Sequence, residues 1–326
     1  MLDLINKFPS QLKKAMQIGE QAQLTQPKKP ITKVCIAGLG GSGIGASLVR
    51  DYVYTHFSAI IEVSKDYDIP KRVDSYTLVI INSYSGNTEE TVSAMHQALQ
   101  KDAKIVAISS GGKIQKIAKE NNCNHIQVPT GSPPRAALAY SLVQQLYILL
   151  FFGLINEKFK EELSTAIEQL EKNQTTIKEN AKQGAKQIHN THPIIYSAGD
   201  KEAIAIRFRQ QLNENAKILC YHHVVPEMNH NELVGRSGAS PDHSVLRIQT
   251  SYDHHKVVQR MQINKDIIKQ YTDKQYDIIA EGNSYREQML YLIHFTDYIS
   301  VYLAKERKVD PIEIDVINYL KKSLEK

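Results

Sequence analysis

The run Tyr76-Thr-Leu-Val-Ile-Ile81 is apolar and β-branched, the pattern of a buried strand. A short turn of small residues follows it directly, Ser83-Tyr84-Ser85-Gly86-Asn87-Thr88, and from about Glu89 to Leu99 the pattern turns helical. A buried strand that leads straight into a helix belongs to a parallel sheet covered on both faces. The same alternation runs along the chain. Strands are expected at Lys33–Ala37, Ala59–Ser64, Tyr76–Asn82, Lys104–Ser109 and His125–Val128. The intervening helices run from the glycine turn to about His56, over Glu89–Gln100 and Lys113–Asn121, and from Arg135 to Gly153. Met1 to Gln23 reads as one amphipathic capping helix. Asn156 to His189 is charged and helical by pattern and bridges two halves.

Beyond it the alternation restarts. Strands are expected at Pro193–Ser197, Lys217–Tyr221, His243–Gln249 and Tyr276–Ala280. Helices are expected at Lys201–Leu212, His254–Tyr271 and Ser284–Lys305, with a last one beginning at Pro311. The fold class is therefore α/β. Two related domains, residues 1–155 and 156–326, each carry a mostly parallel sheet flanked by helices, a three-layer sandwich.

The turn at Ser83–Thr88 has a chemistry of its own. Hydroxyls crowd it, Gly86 lets the backbone fold tightly, and a helix N-terminus with its amide groups follows. Such a turn holds an anion, most often a phosphate, and it lacks the lysine of a nucleotide triphosphate loop. Gly38-Leu39-Gly40-Gly41-Ser42-Gly43 is a second turn of this kind. It fits the dinucleotide fingerprint, with Glu62 and Asp66 about 20 residues on, so an NAD-dependent dehydrogenase is a rival reading. The Ser83–Thr88 hydroxyls have no task in a dinucleotide site. In a phosphosugar site they grip one phosphate while Gly41 and Ser42 approach the sugar.

The chain has 326 residues, a formal charge of +5 and 42% hydrophobic content, so it is long enough for two cores. Its mild, scattered basicity suits a small anionic substrate and argues against nucleic acid. The cysteines, Cys35, Cys123 and Cys220, read as reduced buried thiols of a cytoplasmic protein. No apolar run is long enough for a membrane helix, and the charged N-terminus is not a signal peptide.

The pair G-x-G-G-S-G and S-Y-S-G-N-T-x-E-T, in this order, resembles a sugar isomerase (SIS) domain. Ser132-Pro-Pro-Arg-Ala-Ala-Leu138, Leu212-Asn-Glu-Asn-Ala-Lys217 and Pro226-Glu-Met-Asn-His-Asn231 extend the likeness over nearly the whole chain, to the bifunctional phosphoglucose/phosphomannose isomerases. The resemblance implies an aldose–ketose isomerase that needs no cofactor and no metal. Its substrates would be glucose-6-phosphate, fructose-6-phosphate and mannose-6-phosphate.

That reaction needs a carboxylate base near C1 and C2, a cation for the enediolate and acid–base help in ring opening. Glu214 stands where a helix ends, between Asn213 and Asn215, whose amides can orient it; the resemblance makes it the base. Arg135 follows two prolines and projects from a rigid corner; the resemblance has it hold the enediolate. His230 lies in a polar loop and is assigned to ring opening, in the partner's site of a homodimer. The resemblance makes Lys321 the second ring-opening group, with Lys322 its competitor. Seven residues earlier, where the family usually carries a threonine that helps accept both C2 epimers, stands Ile314: either the register shifts or that polar contact is missing. His222-His223, His254-His255 and His189-x-x-His192 lack metal-site spacings. A non-catalytic sugar-phosphate sensor is the other alternative.

Overall fold

The computed structural model describes residues 1–54, 57, 59–240 and 242–324. They form two compact units, Asn6–Glu171 and Met1–Ile5 with Lys172–Lys326. In chain order the elements up to Lys172 are α1 (Leu2–Asn6), α2 (Phe8–Gln21), β1 (Lys33–Ala37), α3 (Gly40–Val53), β2 (Ile60–Ser64), β3 (Thr77–Asn82), α4 (Glu89–Gln100), β4 (Lys104–Ser109), α5 (Gly112–Glu120), β5 (Asn124–Gln127), α6 (Leu138–Phe151) and α7 (Lys158–Lys172). They continue as α8 (Gln174–Ile188), β6 (His192–Ala198), α9 (Glu202–Ala216), β7 (Tyr221–Val225), α10 (Glu232–Gly235), β8 (His243–Gln249), α11 (His255–Lys269), β9 (Gln275–Ile279), α12 (Tyr285–Glu306) and α13 (Asp315–Leu324).

Among the described residues the N-terminal unit has a five-stranded sheet in the order β2-β1-β3-β4-β5, and the C-terminal unit a four-stranded sheet in the order β7-β6-β8-β9. Every pairing is parallel. In the N-terminal unit all six residues of β3 are buried. Val79 and Ile81 pack with Ala94 and Met95 of α4 and Ile114 of α5, while Leu78 and Ile80, on the opposite face, are equally inaccessible. Each such side chain contributes roughly 1.5–3 kcal/mol of burial, so β3 anchors the sheet. On the other side α3 packs against α6, and α6 against α2. In the C-terminal unit Tyr196, Val225 and Val245 meet Met261 and Ile268 of α11, and α12 packs on α8 and α9.

Both sheets place a strand and its chain-order successor on opposite sides of the first strand. The order therefore reverses between β1 and β3, and again between β6 and β8. Ligands of open α/β sheets bind in the crevice at the carboxyl ends of the strands at such a point. The glycine turn leaves β1 and the Ser83–Thr88 turn leaves β3, so both open into one crevice. The dinucleotide fold uses the order 3-2-1-4-5-6. The five-stranded sheet does not have it, and Glu62 is ion-paired with Arg72. Neither the strand order nor Glu62 therefore supports the dehydrogenase reading.

Several boundaries differ from the sequence expectation. The N-terminal helix is two helices, with Pro9 in the first turn of the second. The expected end of α3 near His56 lies outside the described residues, and α3 runs to Val53. The strand expected at Lys217–Tyr221 is found at Tyr221–Val225, because α9 continues to Ala216 and closes on Lys217 in the left-handed region, φ 53°. Arg135 does not open a long helix. It sits in a 3₁₀ turn, Pro134–Ala136, and α6 begins at Leu138. The last helix begins at Asp315 rather than Pro311. Cys35 and Cys220 are buried free thiols, pushed up to about 12 by burial, whereas Cys123 is only partly buried.

Candidate active site

Three turns converge at the switch point of the N-terminal unit. The Ser42 hydroxyl accepts from the Tyr84 amide at 3.1 Å. The amide group of Asn82, at the end of β3, donates to the Ser42 carbonyl at 3.0 Å and to the Ser141 hydroxyl at 2.6 Å. These bonds fix the glycine turn to the strand that carries the second turn. Gly41 backs directly onto the third: a Cβ there would lie 2.7 Å from the Pro134 carbonyl oxygen and 3.3 Å from the Arg135 amide. Only a residue without a side chain lets the Arg135 turn come this close.

Within the second turn, Ser83 donates to the Thr88 hydroxyl at 3.0 Å, and the Ser85 hydroxyl accepts from the Asn87 amide at 3.2 Å. Gly86 has φ +69°, and a Cβ on it would collide with the Gly111 carbonyl. Thr88 precedes α4 without a side-chain cap, so its hydroxyl serves the turn and the first amides of α4 keep their capacity to donate. Ser42, Ser83 and Arg135 are buried, Thr88 is half-buried and Ser85 is exposed. Gly41, Ser42, Ser83, Ser85, Thr88 and Arg135 therefore belong to one cluster of turns.

The C-terminal unit treats its own switch point differently. The turn after β8 has an acidic residue, Asp253, whose carboxylate accepts from the Thr250 amide at 3.0 Å and the Thr250 hydroxyl at 2.7 Å. Lys201, from the turn after β6, lies 3.5 Å from it. Both side chains are almost fully buried. This buried ion pair joins the turn after β6 to the turn after β8.

The other candidates lie on the C-terminal unit. Glu214 is half-buried in the last turn of α9, inside the helix and not beyond it. Asn213 donates to the Ile218 carbonyl at 2.7 Å and Asn215 to the Ser300 hydroxyl at 2.9 Å. Both bonds tie the end of α9 to neighbouring parts of the unit. Lys217 donates to the Glu214 carbonyl at 2.8 Å and bonds the Glu313 carbonyl. It thereby brings the Glu214 turn to the segment containing Ile314. Ile314 is half-buried, and its carbonyl accepts from Ile317 and Asn318, which makes it the cap of α13. His230 is exposed at the end of a 3₁₀ turn, Glu227–His230. Lys321 and Lys322 are exposed in α13. Among the described residues no three His, Cys, Asp or Glu side chains gather as a metal site, and no helix is long and apolar enough to cross a membrane.

The family model described as SIS domain matches residues 30–155, and that described as bacterial phospho-glucose isomerase C-terminal SIS domain matches residues 177–324. A bifunctional phosphoglucose/phosphomannose isomerase of Caldicellulosiruptor bescii is 38% identical over 99% of this chain and 98% of its own. One from Aquifex aeolicus is 35% identical over 94% and 95%. The chain belongs to the bifunctional phosphoglucose/phosphomannose isomerase family. The C-terminal domain of glucosamine-fructose-6-phosphate aminotransferase from Francisella tularensis shares the fold, with a TM-score of 0.75, 14% identity and coverage of 95% and 96%. The chain is an α/β protein of two SIS domains and, as a member of this isomerase family, an enzyme.

Sequence reasoning missed Tyr84 in this isomerase fold. Its amide holds Ser42, its carbonyl accepts from the Ser110 amide at 2.8 Å, and its phenol oxygen accepts from the Ser132 amide at 3.1 Å. One residue thus ties the glycine turn, the loop after β4 and the Arg135 turn together. The run Ser83-Tyr84-Ser85 signals a turn but carries no sign of partners so far along the chain. Asn82 was missed for the same reason.

Proposed function

We propose that the protein interconverts glucose-6-phosphate and mannose-6-phosphate with fructose-6-phosphate. The observation that carries this reading is the convergence of the 38–43, 83–88 and 132–136 turns at the switch point of the N-terminal unit. Ser42, Ser83, Ser85 and Thr88 and the first amides of α4 hold the phosphate, with Gly41 close to the sugar. His230 and Lys321 open the ring, moving a proton between the ring oxygen and the anomeric hydroxyl. The Glu214 carboxylate takes the proton from C2 of the aldose, or from C1 of the ketose, and returns it to the neighbouring carbon. The intermediate is a cis-enediolate, and the Arg135 guanidinium faces its negative oxygen. C2 is trigonal in that intermediate, so both aldose epimers pass through it. With Ile314 at the α13 cap, no side-chain hydroxyl from that position meets the C2 group, and mannose-6-phosphate is the slower aldose.

The working form is a cytoplasmic homodimer, with His230 serving the partner's site. Residues 1–155 form the phosphate-binding SIS domain and 156–326 the domain with the base. Support for the dimer comes from α13, where Val316, Tyr319, Leu320 and Leu324 are all exposed; a second copy would cover this apolar stripe. The test is Glu214→Gln. Loss of a general base lowers turnover about 10²- to 10⁴-fold, while affinity for a non-isomerisable sugar phosphate, measured by calorimetry, stays within about twofold because the anion-binding turns are untouched. Retained turnover removes Glu214 as the base.

A further inference from the structure

The segment that carries His230, between β7 and β8, is a 3₁₀ turn followed by the short helix α10, and it is held at both shoulders. On the near side Met228 is fully buried against Tyr196, Val225 and Val245, and Asn229 donates to the buried Asn264 of α11 at 2.6 Å. On the far side the Glu232 carboxylate accepts from the Tyr196 hydroxyl and, at 2.9 Å, from Arg236. The Arg236 guanidinium also lies over the Tyr196 ring, 5.5 Å from its centre. Tyr196 and Arg236 are almost inaccessible, 1% and 3% exposed. Tyr196 stands on β6, hydrogen-bonded on either side to β7 and β8, so it is as rigid a mount as this unit offers.

A partly buried carboxylate between a phenol and a guanidinium gains little over apolar groups of the same shape. Its effect is directional: two donors aimed at one oxygen define where residue 232 sits, and with it the residue two places earlier. We propose that Glu232 is a positioning residue that, through Tyr196 and Arg236, fixes the turn presenting His230. This rests on the reading of His230 as the ring-opening group. His230 itself stays exposed, free to meet substrate, while Asn229 on one side and Glu232 on the other remove its backbone freedom.

The test uses the full-length protein and four variants, Glu232→Ala, Glu232→Gln, Tyr196→Phe and His230→Asn, assayed with fructose-6-phosphate and by thermal unfolding. Glu232→Ala is expected to lower kcat about tenfold or more with KM within about twofold, since a misplaced ring-opening group costs the reaction step and not phosphate binding. Glu232→Gln keeps an acceptor oxygen and is expected within about threefold of wild type. Tyr196→Phe falls between them. Glu232→Ala and Tyr196→Phe both turning over at the wild-type rate, with His230→Asn inactive, overturn the positioning role alone. His230→Asn at the wild-type rate removes the ring-opening reading and this proposal with it. If Glu232→Ala does not fold, Tyr196→Phe, which deletes a single hydroxyl, decides between the same outcomes.

Discussion

Tyr84 has one side-chain oxygen, and it accepts from the Ser132 amide, three residues ahead of Arg135. Pro133 and Pro134 lie between, with φ fixed by their rings, so a shift at Ser132 is carried to the guanidinium. Tyr84→Phe removes that acceptor and leaves both backbone bonds of the residue in place. A lost hydrogen bond of about 1 kcal/mol corresponds to a kcat lower by roughly threefold to tenfold. Steady-state kinetics should find this with KM unchanged, because the Ser83–Thr88 turn is intact; an unchanged kcat would show that Arg135 does not depend on Tyr84. Gly86 was legible as a tight-turn residue from sequence alone. The close approach of Gly41 to Pro134 was not, since the two are separated by most of the domain.

At the scale of elements, the strands were read well where burial is continuous. β3 and β4 are long apolar runs, and their positions were visible in the residue pattern alone. The reading failed where a single backbone state ends an element. Lys217 in the left-handed region lets α9 run on to Ala216 and delays β7, and nothing in Asn-Ala-Lys-Ile marks that change of direction. The 3₁₀ turn at Arg135 was hidden by the proline pair, which reads equally as the first turn of a helix. Inside α12, His294 is fully buried against Tyr298, ring centres 4.5 Å apart. Burial, aided by the Lys178 ammonium, pushes its imidazole down to about 3. In the unfolded chain it titrates near the usual histidine value of about 6.5. Below that pH the unfolded chain takes up a proton the folded one refuses, so this residue's stabilising contribution is present above about 6.5 and lost as pH falls toward 3. Between pH 7 and pH 5 the loss amounts to about 2 kcal/mol. Urea unfolding at the two pH values should show wild type losing that much more than His294→Gln; equal losses would mean His294 is not the acid-sensitive group.

At the scale of the molecule, the candidate residues divide between the two compact units. The N-terminal unit holds the three turns and Arg135, and the C-terminal unit holds Glu214, His230 and the α13 lysines. In the C-terminal unit Asp253 and Lys201 pair across the two turns at its own switch point. If His230 serves the partner's site, Glu214→Gln and His230→Asn proteins, each inactive, should regain about a quarter of wild-type activity when subunits are mixed, since half the dimers are mixed and each has one complete site. No recovery would place both residues in the same chain's site. The most direct measurement is a coupled assay of the purified protein with glucose-6-phosphate and with mannose-6-phosphate, each in the presence and absence of EDTA. Formation of fructose-6-phosphate from both aldoses, faster from glucose-6-phosphate and unchanged by EDTA, is the expected result. No fructose-6-phosphate from either aldose would contradict it.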